Sequence, residues 1–99
     1  MPMKVELSKR AVVILEHLPA EDKKRVNRII KLLETFPNGD GLRGKYHKVL
    51  NVPGKFYIVK AGLNLRLIFQ VQRDALNVLD IVDHDRMERM FNLEAGGGK

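Results

Sequence analysis

The hydrophobic positions in the first third of the chain recur with the period of an α-helix. In the clearest stretch they are spaced i, i+3, i+4 and i+7, at Val26, Ile29, Ile30 and Leu33. That spacing places the four side chains on one helix face, which can pack against a core. The turn-forming residues at 37–41 end this predicted helix.

A shorter helix is predicted before it, over Lys9–Leu18, because Ser8 can cap it by accepting hydrogen bonds from backbone amides. Pro19 follows and suits the first turn of the second helix. Met3–Leu7 alternates between apolar and polar residues, which indicates a short strand. The pattern therefore predicts a strand followed by a helical hairpin.

Beyond residue 41 the apolar positions recur with a period of two, which is typical of β-strands. Turn-forming residues interrupt the pattern at regular intervals, at Pro53–Gly54, Gly62–Asn64 and Arg73–Ala75. This spacing predicts antiparallel strands joined by short turns. The predicted strands are Lys48–Val52, Phe56–Ala61, Leu65–Gln72 and Leu76–Val82.

Alternation within the Leu65–Gln72 strand predicts one buried face and one face in solvent, with Arg66 on the solvent side. A helical hairpin covers only one side of so small a sheet. We therefore expect an α+β fold, in which the N-terminal strand and the hairpin pack on one face of a three- to four-stranded, mainly antiparallel sheet. A short C-terminal helix is predicted over Asp85–Leu93, and the other face of the sheet is expected to be open, polar and basic.

Length and composition bound the class of protein. The 99 residues suit one domain, which we assign to residues 1–93, with a flexible tail at 94–99. The chain has no cysteine, and its three histidines lack ligand spacing, so no metal or other cofactor is expected. It also lacks an apolar run long enough to span a membrane and the features of a signal peptide, which favours a soluble cytoplasmic protein.

The net charge of +6 is unevenly distributed. Residues 41–73 carry seven basic side chains and no acidic one. A field of one sign attracts polyanions, so nucleic acid is the first partner to consider. The alternative is a basic protein whose lysines only keep it solvated.

Strand register brings some of these charges together. If Gly62–Asn64 is a three-residue turn, Lys60 lies directly opposite Arg66, whereas a two-residue turn would bring Val59 there instead. Two like charges in that position are destabilising unless an anion lies between them. The register between these two strands is thus a point of the prediction that the structure tests.

A second turn extends the prediction to a third residue. If Arg73–Ala75 is also a three-residue turn, Arg66 comes opposite Val82, two residues before His84. We therefore expect Lys60, Arg66 and His84 to cluster at one end of the sheet.

Two cations beside an imidazole suit the cleavage of a phosphodiester. The cations stabilise charge on phosphate oxygens, and the imidazole moves protons near neutral pH. In RNA the 2′-hydroxyl can itself attack the adjacent phosphorus, so neither a metal nor a protein nucleophile is required. Against this, His84 can equally be a surface residue that the flanking Asp83 and Asp85 hold protonated.

Further cations and aromatic rings could grip a nucleic acid. Arg43, Lys45 and Lys48 are candidates for contacts to its backbone, and Tyr46, Tyr57 or Phe91 could stack on a base. Aromatic side chains in a domain of this size more often pack in the core.

The order of the elements and several short stretches resemble the RelE/ParE superfamily of toxins from toxin–antitoxin pairs, with the RelE-like branch favoured. The resemblance spans nearly the whole chain. The segments that carry it are Leu42–Gly44, Phe56–Lys60, Leu65–Val71 and Val78–His84.

The resemblance implies a ribosome-associated endoribonuclease that cleaves mRNA and so inhibits translation. Lys60 matches the basic end of one family strand, Arg66 the strand arginine, and His84 the basic position after the last strand. Arg86 and Arg89 lie in the terminal basic stretch. The aromatic residue near the end of the chain is Phe91, which can stack on a base but has no hydroxyl.

A cognate antitoxin is also implied by the resemblance, and an acidic segment would suit the positive surface. Two alternatives remain open. A ParE-like toxin would inhibit DNA gyrase without cutting nucleic acid, and a divergent member would bind RNA or antitoxin without turnover. The ribonuclease requires its three candidate residues to converge on the exposed face, whereas the gyrase inhibitor does not, and its last helix should be the more sensitive region.

Overall fold

The computed structural model describes residues 3–37, 39–42, 44–49 and 53–91, and it confirms the α+β fold. Two helices and a short C-terminal helix accompany one sheet of five strands. The elements are β1 (Lys4–Leu7), α1 (Lys9–Glu16), α2 (Ala20–Leu33), a 3₁₀ turn (Asp40–Leu42), β2 (Tyr46–Lys48), β3 (Phe56–Ala61), β4 (Leu65–Gln72), β5 (Ala75–Asp83) and α3 (His84–Phe91).

The strands lie in the order β1-β5-β4-β3-β2. β1 pairs with β5 in parallel, and every other neighbouring pair is antiparallel. The strand predicted at Lys48–Val52 lies earlier in the chain, at Tyr46–Lys48, while residues 50–52 lie outside the described part. The predicted tail, residues 94–99, also lies outside it.

The helices begin close to where the sequence predicts them. Ser8 caps α1, because the Ala11 N–H donates to its Oγ at 3.0 Å. α1 ends at Glu16, two residues before the predicted end, and α2 begins directly after Pro19. α3 begins at His84, one residue earlier than predicted.

Apolar side chains fill both faces of the sheet. On one face α1 and α2 cover the larger cluster, which we call the hairpin-side cluster. On the other face a smaller α3-side cluster forms. The hairpin-side cluster contains Ala11, Val26, Ile29, Leu33, Leu42, Val59, Ala61, Leu67, Phe69, Leu76, Val78 and Ile81. The α3-side cluster contains Val49, Ile58, Ile68, Val82 and Met87.

The smaller cluster corrects the prediction of an open, polar second face. Ile68 lies two residues after Arg66 on the same face of β4, where the alternation predicts exposure to solvent, yet it is only 3% exposed. Met87 of α3 packs against it together with Val82. The α3-side cluster therefore covers the middle of a face that was expected to be open.

The register between β4 and β5 also differs from the prediction at one point. The turn has two residues, Arg73 and Asp74, because Gln72 pairs with Ala75. A β-bulge further along then adds one residue on β5, between the pairs Phe69–Val78 and Ile68–Asp80. From the bulge onward the register is the predicted one.

Candidate functional site

Lys60 and Arg66 lie directly opposite each other on β3 and β4, as the three-residue turn predicts. The Lys60 N–H donates to the Lys45 carbonyl at 3.0 Å, so it points towards β2 and away from β4. Lys60 and Arg66 therefore form a non-hydrogen-bonded pair, the kind in which opposing side chains come closest.

A third cation extends this pair to the edge of the sheet. Tyr46 pairs with Val59, so the same register places Lys45 beside Lys60, in agreement with the backbone hydrogen bond. Lys45 and Lys60 are both exposed. We call these three residues, Lys45, Lys60 and Arg66, the cationic row.

No carboxylate neutralises the cationic row among the described residues. The ion pairs found there join Lys4 to Glu6, Arg10 to Asp80 and Arg25 to Asp22. Two adjacent like charges without a counter-ion repel each other, and an anion bound between them would remove that repulsion. The row is therefore a candidate phosphate site.

Arg66 is buried at 8% exposure, which corrects its predicted place in solvent. Its Nη1 donates to the carbonyls of Leu63, at 3.2 Å, and Leu65, at 2.9 Å. Its Nε and Nη2 have no partner among the described residues. An arginine held in this way presents a fixed edge that matches two phosphate oxygens, with little entropy left to lose on binding.

His84 lies at the same end of the sheet. Its N–H donates to the Asn64 carbonyl at 2.8 Å, which fixes the start of α3 against the turn between β3 and β4. Arg66 pairs with Val82, as predicted, so His84 follows two residues after the position opposite Arg66. The imidazole is half-buried.

The turn at Gly62–Asn64 is the local structure that joins these residues. Gly62 has φ 92°, a conformation that favours glycine, and a Cβ there would lie 2.9 Å from Arg25 Cδ. The carbonyls of the turn then hold the Arg66 guanidinium and the His84 amide. Their role could not be predicted from the sequence, because every residue carries a carbonyl.

Asp83 has a different role in the structure from the one that the sequence suggests. Its Oδ1 accepts a hydrogen bond from the Arg86 N–H at 2.7 Å. This contact caps α3, and a carboxylate there also interacts favourably with the helix dipole. The sequence carries this signal, since an aspartate precedes a predicted helix, but the role expected for Asp83 is to hold His84 protonated.

The other residues predicted to contact RNA lie in different parts of the molecule. Arg86 and Arg89 are exposed on α3. Lys48 pairs with Tyr57, whose ring packs against the hairpin-side cluster, so it lies on the opposite face of the sheet from the cationic row. Arg43 and the side chain of Phe91 lie outside the described part of the structure.

The two tyrosines considered for base stacking belong to an aromatic cluster instead. Their rings lie 5.0 to 6.0 Å from each other and from Phe36, and Tyr57 also stacks on Phe69. Tyr46 donates its hydroxyl to the Pro37 carbonyl. Both rings therefore serve packing, which is the alternative given by the sequence.

The described residues contain no group of three or more histidine or acidic side chains that could hold a metal ion. Within the same residues, no helix is both long and apolar enough to cross a membrane.

The strand order, the hairpin on one face and α3 on the other define the class: the chain has the RelE-like fold. The resemblance found in the sequence is thus confirmed in the fold. Neither protein-family models nor curated proteins match the sequence.

Several solved structures are similar to this chain. The chain is similar to one in the archaeal RelE–RelB complex from Pyrococcus horikoshii OT3, with a TM-score of 0.70 and 21% identity over 87% of this chain and 99% of that one. The match to a chain of the YoeB dimer from Staphylococcus aureus has a TM-score of 0.65 and 19% identity, and it covers 85% of this chain and 99% of that one. The match to a chain of the RelB–RelE antitoxin–toxin complex from Methanococcus jannaschii has a TM-score of 0.66 and 20% identity, and it covers 83% of this chain and 93% of that one.

Proposed function

We propose that this protein is the toxin of a toxin–antitoxin system and a metal-independent endoribonuclease that cleaves mRNA on the ribosome. The observation that carries the proposal is the convergence of an exposed lysine, an anchored arginine and a histidine at one end of the sheet. The RelE-like fold supports it, since the similar chains come from structures described as RelE and YoeB.

The chemistry uses the RNA's own 2′-hydroxyl. His84 acts as general acid or base: as base, it takes the 2′-hydroxyl proton while the oxygen attacks the adjacent phosphorus. The P–O5′ bond then breaks, and the departing oxygen takes a proton from water. The products are a 2′,3′-cyclic phosphate and a 5′-hydroxyl, with no change in oxidation state.

Lys60 and Arg66 stabilise the charge that develops on the non-bridging oxygens. Arg66 offers its Nε–Nη2 edge, and Lys60 offers a mobile ammonium from the facing strand. Lys45, Arg86 and Arg89 flank the site and bind neighbouring phosphates. Arg43 and Phe91 remain candidates for the same surface.

A cognate antitoxin is the proposed protein partner. Two of the similar structures are complexes of a RelE with a RelB. An acidic antitoxin segment laid over the cationic row would both bind by charge and block access to RNA.

Cleavage of mRNA in a translating extract tests the function. We expect the unmodified protein to cut, and Lys60→Ala and His84→Ala to lose at least about 100-fold in rate. Lys48→Ala is the matched control, because it removes an exposed lysine from the opposite face of the sheet. Its rate should be unchanged.

The outcomes separate the alternatives. Intact mRNA with folded wild-type protein overturns the ribonuclease, and an assay of DNA supercoiling by gyrase then tests the ParE-like function. Equal loss in Lys60→Ala and Lys48→Ala would instead indicate that only overall charge matters.

A further inference from the structure

The β-bulge on β5 determines which residue lies opposite Arg66. Before the bulge, Phe69 pairs with Val78; after it, Ile68 pairs with Asp80, so Leu79 is the additional residue. If the first register simply continued, Ile81 instead of Val82 would face Arg66. Because neighbouring residues of a strand point to opposite faces, the bulge also decides on which face each later side chain lies.

The apolar clusters show this change of face directly. Val78 and Ile81, three residues apart, both belong to the hairpin-side cluster, whereas Val82 belongs to the α3-side cluster. A regular strand would place Val78 and Val82 on the same face. The position of His84 relative to Arg66 therefore depends on keeping the bulge.

Ser8, which caps α1, donates two hydrogen bonds to backbone carbonyls at the bulge. Its Oγ donates to the Leu79 carbonyl at 2.7 Å, and its N–H donates to the Val78 carbonyl at 2.9 Å. The same Oγ accepts the capping hydrogen bond from Ala11. One hydroxyl thus connects the helix cap to the irregular residue of β5.

An ion pair holds the other side of the bulge. Asp80, only 7% exposed, accepts from Arg10 Nε at 3.0 Å through Oδ2 and from the Ile81 N–H at 2.9 Å through Oδ1. Loss of the arginine would leave a buried carboxylate with its charge uncompensated, which is costly. We call Ser8, Arg10 and Asp80 the bulge clamp.

We infer that the bulge clamp positions the site: it maintains the irregular register of β5 and so keeps His84 beside Arg66. This inference rests on the proposed ribonuclease function. The three residues are positioning residues, since they act through the β5 backbone and are not expected to contact RNA. Bulges next to active sites commonly aim a side chain in this way.

Two substitutions of Ser8 separate its roles as cap and as clamp. In Ser8→Asp the carboxylate still caps α1 but has no proton to donate to the Leu79 carbonyl, whereas Ser8→Thr keeps both contacts. NMR of the isotopically labelled protein reports the cross-strand contact between Arg66 and Val82. Single-turnover cleavage on programmed ribosomes gives the rate and the half-saturating concentration separately.

We expect Ser8→Asp to lose the Arg66–Val82 contact and to cleave about 100-fold more slowly, with an unchanged half-saturating concentration. Ser8→Thr should behave as the unmodified protein. If Ser8→Asp does not fold, Arg10→Ala, at a half-exposed position, tests the second contact with the same two measurements.

Two results would overturn the inference: cleavage by folded Ser8→Asp as fast as by Ser8→Thr, or slow cleavage with the Arg66–Val82 contact intact. Failure of the proposed function has a different signature, since no protein in the series would then cut RNA. The NMR comparison would still decide whether the clamp sets the register.

Discussion

At the scale of single residues, Arg66 and Lys60 face each other but are held in different ways. Arg66 is buried and donates to the carbonyls of Leu63 in the neighbouring turn and Leu65 at the start of β4, while the Lys60 side chain is exposed. A buried guanidinium contributes to the fold as well as to the charge of the site. The two residues therefore differ in what their removal costs.

We expect Arg66→Ala to lower the free energy of unfolding by about 1–3 kcal/mol, because it leaves the Leu63 and Leu65 carbonyls without their donor. Lys60→Ala, at an exposed position, should change it by less than about 0.5 kcal/mol. Urea denaturation of both variants measures the difference. Equal stabilities would show that the carbonyl contacts of Arg66 contribute nothing to folding.

At the scale of the elements, α3 begins where three contacts meet. The His84 N–H binds the β3–β4 turn, Asp83 caps the helix, and Met87 packs on the α3-side cluster. A helix of eight residues has little stability of its own. These contacts therefore decide whether His84 has a fixed position.

Asp83→Ala should destabilise the protein by about 1 kcal/mol through loss of the cap and increase hydrogen exchange in α3. Asp83→Asn is the matched control, because asparagine caps as well as aspartate does. Amide exchange of both variants followed by NMR measures the effect. Unchanged protection of α3 in Asp83→Ala would contradict the assigned cap.

At the scale of the elements, the sequence predicts the strand pairings of the site but not the bulge that produces one of them. Pairing of Lys60 with Arg66 followed from a glycine turn of three residues, a signal that is local and specific. The pairing of Arg66 with Val82 was predicted through a three-residue turn at Arg73–Ala75, whereas a two-residue turn plus a bulge produces it. The bulge leaves a trace in the sequence, since Val78 and Ile81 break the period of two, but its clamp consists of contacts distant in the chain.

At the scale of the whole molecule, the two faces of the sheet are covered to different extents. The hairpin covers the larger apolar cluster, and α3 covers part of the opposite face, leaving the cationic row at the open end. Periodicity predicted the hairpin and the α+β class. It could not predict the α3-side cluster, because Ile58, Ile68 and Val82 become a core only when the bulge and α3 bring them together with Met87.

We propose that the RNA supplies its own nucleophile at this open end of the sheet. The most direct measurement uses programmed ribosomes whose mRNA carries a single 2′-deoxynucleotide on the 5′ side of the scissile phosphate, compared with the all-ribose message. We expect the deoxy substitution to abolish cleavage at that phosphate and the all-ribose message to yield a 2′,3′-cyclic phosphate. Cleavage of the deoxy message at the same position and rate would contradict the mechanism.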